Sequence, residues 1–380
     1  MKRSNSQRYI VDFDKYILLY FGLLCLVGLV VMLDISSVQS SMTYFFRHLI
    51  FMIISVTAAI VVLYAFNLEK LRYLAPYLAY LTIILLIFVL VKGNTVKGAT
   101  RSINLGLISF QPSFMARVVL VFYFAYMLDK KHDLLLTATN PLQFMQNFPA
   151  LVTITAATFG LIIMERHLST LIIGGATLFG MLAYAGARKR LLMMVIIIGL
   201  AGGVLVLTKG ADYRKARLTT YKKYSLFIKN RDNTKSDASD YQVKESLTAL
   251  TSGGIFGTGI ARGRAKHYYL PEARTDYIFT IIGEETGFLG ALIVFSLHCL
   301  LFFRCMKMSN SKDNQYLRFL GVGLAMNTFC NVLVNTGVAM SILPPTGNTL
   351  PFISYGGSAL LIDSISVGAL LNISAVRRTV

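Results

Sequence analysis

The chain has 380 residues, 55% of them hydrophobic and only 14% charged, and carries a net charge of +19. A soluble domain carries about 25% charge, so this composition excludes an ordinary soluble globular protein. The surplus Lys and Arg are scattered among apolar runs, which argues against nucleic acid and fits a positive-inside bias with attraction to anionic lipid.

Residues 1–15 are polar and basic and read as a cytoplasmic N-terminal tail. No small-residue cleavage site follows the first apolar run, so no cleavable signal peptide is expected. Apolar runs predict spans at 16–33, 46–66, 73–91, 112–128, 148–163, 168–186, 191–208, 286–303, 316–339 and 357–375, each near the ~20 residues a bilayer requires. The expected fold is all-α, a polytopic membrane protein with about ten transmembrane helices. Helices 1–7 occupy 16–208, a large extracytoplasmic loop at 209–285 precedes the eighth, and helices 8–10 occupy 286–380. A Gly/Pro-rich external loop at 341–356 interrupts that last section, because Gly and Pro at such density prevent a regular helix. The cysteines Cys25, Cys299, Cys305 and Cys330 form no CxxC pair and read as packing residues.

The short connections set the orientation. Lys2, Arg3, Arg8 and Lys15 fall on the same side as Lys70 and Arg72, Lys130 and Lys131, "ARKR" at 187–190, Arg304 with Lys307 and Lys312, and Arg377 with Arg378. The opposite connections are poorer in charge, 92–111 being a partial exception. The positive-inside rule then puts both termini in the cytoplasm and 209–285 outside.

Two basic clusters lie in that outer segment. Lys209, Arg214, Lys215, Arg217, Lys222 and Lys223 read equally as a headgroup-facing charge run and as a ligand site. Arg262, Arg264, Lys266 and Arg274 are interleaved with Gly and Tyr, the way a pyrophosphate site is built: cations for charge, Gly for close backbone approach. Asp276 follows in "LPEARTDYIF". It suits a general base that takes a proton from a sugar hydroxyl. It equally suits a helix cap, since Thr275 or Asp276 could cap a helix starting at Tyr277. Glu284 and Glu285 form a second acidic pair two turns on. Asp363, inside the last span, is a functional or a partnered structural acid. The five histidines show no metal-ligand spacing, and no P-loop or GxGxxG follows a strand.

These residues resemble a known family. "LPEARTDYIFTIIGEETGFLG" at 270–290 and "LPPTGNTLPFISYGGSALL" at 343–361 look like the two signatures of the SEDS proteins (shape, elongation, division and sporulation), and "FQPS" at 110–113, "YRKAR" at 213–217 and "YQVKESLTALTSGGIFGTG" at 241–259 also match. "GNTLPFISYGGS" followed by "GALLNIS" leans towards the FtsW branch over RodA. The resemblance implies a ten-span peptidoglycan glycosyltransferase that polymerises lipid II at the outer face of the cytoplasmic membrane, in division or growth. It implies that Asp276 is catalytic and activates the acceptor 4-hydroxyl. Lys266, Arg274, Glu272, Arg262, Arg101, Gln111, Arg217, Ser354, Tyr355 and Gly356 are the implied substrate-binding residues. It allows a divalent cation, Mg or Mn, at the pyrophosphate, and a class B penicillin-binding protein as partner among other division or elongation proteins. The chain departs from the family pattern at Ser102, where Trp is usual, at Phe114 for Glu, Arg117 for Lys and Asn331 for Gln. Two other readings stand beside it: a flippase or transporter of a lipid-linked sugar, disfavoured by the few charges within the spans, and a weakly active scaffold that recruits a transpeptidase, which Phe114 keeps open.

Overall fold

The computed structural model describes residues 9–38, 42–96, 99–104, 109–208, 219–225 and 238–379. Each of the ten predicted segments falls on a helix. These are α1 (Lys15–Val38), α2 (Thr43–Ala65), α3 (Ala75–Lys92), α4 (Pro112–Lys130), α5 (Pro149–Met164), α6 (Leu168–Tyr184) and α7 (Lys189–Thr208). After α8 (Ala238–Gly253) come α9 (Ile278–Asn310), α10 (Gln315–Ala339) and α11 (Gly357–Ser374). Proline in the first turn opens α4 and α5, where its missing N–H costs nothing. The Asn314 side chain caps α10 by accepting the Leu317 N–H.

Among the described residues, seven helical segments are long and apolar enough to cross a membrane: α1, α2, the stretch Leu68–Lys92 that ends in α3, α4, α9, α10 and α11. α5 joins the short helix Pro141–Asn147 through a bend of 104°, and α6 is a shorter apolar helix. The protein is an all-α polytopic membrane protein. Its most apolar segments are its outer ones: the 18-residue apolar stretches of α1, α2, Leu68–Lys92 and α9 are only 28–33% buried, against 67–83% for those of the less apolar α4, α10 and α11. Lipid solvates the apolar faces, while polar side chains must find partners inside the bundle. α10 accordingly packs on α4, α6 and α9, and α11 packs on α2. Tyr9–Asp12 pairs antiparallel with Val376–Thr379, so the two ends of the described chain lie at the same end of the bundle.

The eighth predicted span began at 286, but the helix begins at Ile278 and is broken at Gly287, whose φ of 70° and ψ of −169° are non-helical. A break frees backbone groups that lipid cannot satisfy. The glycine-rich loop after α8 satisfies them. Thr258 and Gly259 donate N–H to the carbonyls of Glu284 and Glu285 (2.9 and 3.1 Å), and the Phe288 and Leu289 N–H groups donate to Gly254 and Ile255 (2.9 and 3.2 Å). Such an approach requires Gly257: its φ is +84°, and a Cβ there would sit 2.0 Å from the Glu285 carbonyl oxygen. The sequence reads 278–285 as loop because Gly283, two glutamates and Gly287 dilute the apolar pattern.

Candidate active site

The site is built where the two signature stretches meet, ahead of α9. Glu272 takes a left-handed φ of 57°, and its carbonyl collects three N–H groups, from Thr275 (3.1 Å), Asp276 (3.1 Å) and Tyr277 (3.3 Å). The Thr275 hydroxyl donates back to the Glu272 carboxylate at 3.0 Å. The resulting turn sets Asp276, half-buried, at the entrance to α9. The N-cap position falls one residue later, on Tyr277, whose side chain makes no capping bond.

The three carbonyls of this turn are held from across the fold. Tyr355 donates its backbone N–H to Arg274 O (2.9 Å). Ser354 Oγ donates to Thr275 O (2.6 Å), and Asn335 Nδ2, from α10, donates to Asp276 O (2.9 Å). Asn335 also donates to Asn348 O at 2.6 Å, and Asn348 Nδ2 donates to Asn331 Oδ1. Ser354 and Asn335 are buried, and the Ser354 hydroxyl also accepts the Leu350 N–H (2.8 Å). The Ser354 side chain is therefore spent on the backbone of the turn, where an open substrate contact was expected.

Arg274 is the cation closest in sequence to Asp276. Its guanidinium lies 3.7 Å above the Tyr44 ring, and the Tyr44 ring meets Tyr355 edge-on with centroids 6.0 Å apart. Its Nη1 is buried with no hydrogen-bond partner among the described residues. Aromatic faces attract such a cation and leave its donors aimed elsewhere. His48 and Phe51 also border the Tyr355 ring.

Lys266 corrects the sequence reading. It is fully buried, with Nζ 2.6 Å from Asp34 on α1 and 2.5 Å from Glu285, so it presents no open face to a pyrophosphate. Glu285 also accepts the Gly263 N–H (3.1 Å), and Glu284 accepts those of Arg264 (2.8 Å) and Ala265 (3.0 Å). The second acidic pair is thus an anchor for 263–266. Arg262 and Arg264 keep exposed side chains, with Arg264 lying 5.7 Å from the Tyr269 ring. Glu272 is exposed and shapes the turn.

The "FQPS" stretch at 110–113 comes close to the second signature. The Gln111 N–H donates to Ser358 Oγ (3.2 Å), and its Nε2 lies 2.9 Å from His167 Nδ1. Gly356 stands in extended backbone just before α11. Arg101 lies on the short strand Ala99–Asn104, and Arg217 lies outside the described residues. Farther in, Arg117 is buried with its guanidinium 5.4 Å from the Phe114 ring, and Phe114 packs edge-on against His167. Where the family pattern has a carboxylate, an aromatic face holds the cation.

Sequence reasoning missed Asn335, Asn348 and Asp34. A signal existed for the first: Asn327, Asn331 and Asn335 repeat at four-residue spacing in an apolar segment, which places three amides on one helix face, and all are buried. A divalent cation finds no cluster of three or more His, Cys, Asp or Glu among the described residues. Mg²⁺ is commonly held by one or two carboxylates plus substrate phosphates, so a cluster of three protein ligands is not a requirement for such a cation.

The comparisons with known proteins agree with this architecture. The family model for cell cycle proteins of the FtsW, RodA and SpoVE group matches residues 12–379. A probable peptidoglycan glycosyltransferase FtsW from Geobacter sp. strain M18 is 33% identical, over 98% of this chain and 99% of that protein. Stage V sporulation protein E of Bacillus subtilis strain 168 is 32% identical, over 96% and 98%. Among solved structures, a chain of a peptidoglycan synthase complex superposes with a TM-score of 0.77 at 22% identity, covering 96% of this chain and 98% of that one. The rod shape determining protein RodA of Thermus thermophilus gives 0.69 at 21% identity, covering 96% and 97%. With a match of that extent, the chain belongs to the FtsW/RodA/SpoVE family of cell cycle proteins.

Proposed function

We infer that the chain is a peptidoglycan glycosyltransferase that polymerises lipid II, an undecaprenyl-pyrophosphate-linked disaccharide pentapeptide, into glycan strands. The observation that carries the chemistry is the turn itself. A half-buried carboxylate, Asp276, is fixed at a helix entrance two residues from Arg274, a cation seated on an aromatic ring with a donor to spare. In this reading Asp276 accepts the proton of the acceptor sugar's 4-hydroxyl as that oxygen attacks the anomeric carbon of the donor. The bond from that carbon to the pyrophosphate oxygen breaks, and the lipid pyrophosphate leaves with the electron pair. Arg274 faces the charge that develops there, an electrostatic contribution available only where donors are already in place. A cation brought with the pyrophosphate would neutralise the same charge.

Orientation follows the charge pattern. Both termini are cytoplasmic, in the cytoplasmic membrane, and the turn faces outward. The paired terminal strands support the first part, because they require both ends on one side. The partner is a class B penicillin-binding protein transpeptidase. The likeness to a chain of a peptidoglycan synthase complex supports an assembly of that kind.

The test is lipid II polymerisation by the purified chain, alone and with its transpeptidase, against Asp276→Asn. A general base contributes typically 10²–10⁴-fold, so the variant should fall by about that factor while keeping its melting temperature. Near-normal strand formation by Asp276→Asn removes Asp276 from the mechanism and hands the lead to the transporter and scaffold readings.

A further inference from the structure

The three consecutive peptide units around Asp276 are pinned at both edges although they belong to no helix or strand. Between Arg274 and Tyr277, every N–H points to the single carbonyl of Glu272, and every C=O receives a donor from outside the turn. Peptide planes are rigid, and a chain moves only by rotating about the bonds between them. Fixing both edges of three consecutive planes removes those rotations and leaves Asp276 only its side-chain torsions. Two of the three outside donors are side chains, Ser354 Oγ and Asn335 Nδ2, each buried and within 2.9 Å of its carbonyl.

Resting on the polymerase reading above, we propose that Asn335 and Ser354 are positioning residues for Asp276, acting through its backbone and not through the substrate. Simple stabilisation of a loop does not ask for this arrangement. One amide would satisfy one buried carbonyl, yet Asn335 reaches both Asp276 O and Asn348 O and so ties the turn to the second signature loop (2.9 and 2.6 Å). Asn348 in turn bonds Asn331 on the same helix face of α10. The carboxylate is thereby referenced to α10, one of the most buried helices of the bundle, and not only to the turn that carries it. A base on a turn outside any helix has to be held near its productive geometry, since a 1 Å misplacement costs on the order of 10²-fold in rate.

The experiment measures kcat and KM for lipid II in Asn335→Ala, Ser354→Ala, Ser354→Thr and Asp276→Asn, and in the Asp276→Asn/Asn335→Ala double variant, each purified with its transpeptidase and scored for melting temperature. A positioning role lowers kcat about tenfold to a hundredfold in Asn335→Ala and Ser354→Ala with KM within twofold. Ser354→Thr, which keeps the hydroxyl, recovers most of the rate. The double variant is no slower than Asp276→Asn alone, because Asn335 has nothing left to position. Should Asn335→Ala fail to fold, the Ser354 pair decides by the same criteria. An inactive Asp276→Asn together with full-rate Asn335→Ala or Ser354→Ala overturns the positioning role and leaves the polymerase reading standing. So does a rise in KM with kcat unchanged, which marks a substrate contact. An active Asp276→Asn overturns both.

Discussion

Two buried cations in this protein each face carboxylates, and they are held in opposite ways. Lys266 touches Asp34 and Glu285 directly, at 2.6 and 2.5 Å, and Glu285 accepts a backbone N–H as well. Arg117 sits among α4, α6 and α11 with Nε and Nη1 lacking hydrogen-bond partners among the described residues, its guanidinium against the Phe114 ring, and Asp363 interacts with it only electrostatically. Asp363 itself keeps one oxygen without a partner and reaches Asn331 at only 3.5 Å. The first cluster is closed, and it ties α1, the 263–266 segment and the first half of the broken α9 into one body. The second is incompletely satisfied and lies where the chain departs from the family pattern at Phe114 and Arg117. Buried charge stabilises only when its contacts are complete, because desolvation offsets the attraction otherwise. The comparison therefore separates a cluster the site depends on from one the fold tolerates.

Breaking the closed cluster should give the largest effect. Lys266→Ala strands two neighbouring buried acids, a loss of about 3–5 kcal/mol, and thermal unfolding in detergent should show a marked fall in melting temperature. Polymerisation should fall with the folded fraction. A folded Lys266→Ala chain with weakened lipid II binding would instead return Lys266 to the pyrophosphate and dissolve the contrast.

Arg274 comes next, as a cation placed for use. Its truncation to Ala should weaken lipid II binding roughly tenfold to a hundredfold, the worth of a charged hydrogen bond of about 1.5–3 kcal/mol. The melting temperature should change little, since Arg274 is only half-buried. Titration of the labelled substrate against both variants sharpens the difference between Lys266, closed inside the fold, and Arg274, which meets the substrate in the function proposed above.

The smallest effect is expected at the open cluster. Replacing both charges, Arg117→Met with Asp363→Asn, should leave stability near its starting value, since no buried charge is left unpaired and the amide oxygen at 363 can still accept from Asn331. Either single change should cost more than the double, giving a coupling of about 0.5–3 kcal/mol in a double-mutant cycle. A double variant as damaged as Lys266→Ala would show that the two clusters are alike after all.

Sequence alone determined the class of this molecule. Each of the ten apolar runs of bilayer length fell on a helix, within a few residues at most ends, because span length is set by a single dimension of the solvent, although only seven of the described helical segments are long and apolar enough to cross a membrane. It also drew attention to Asp276, since a charge kept beside an apolar segment is costly enough to stand out, but it divided that residue evenly between a base and a helix cap and gave Arg274 as one of four cations in a cluster. The partners of those residues were a different matter. Lys266 looked like an available cation because composition does not reveal that Asp34, 232 residues away, closes over it. Glu284 and Glu285 read only as a second acidic pair, with nothing in the local pattern to say that the 263–265 backbone fills their oxygens. Ser354 and Asn335 reach the turn across separations of 79 and 59 residues. Local pattern reports what a residue type tolerates around it. Which donor meets which acceptor is fixed only when helices pack, because a hydrogen bond is decided by tenths of an ångström between groups that the sequence leaves far apart.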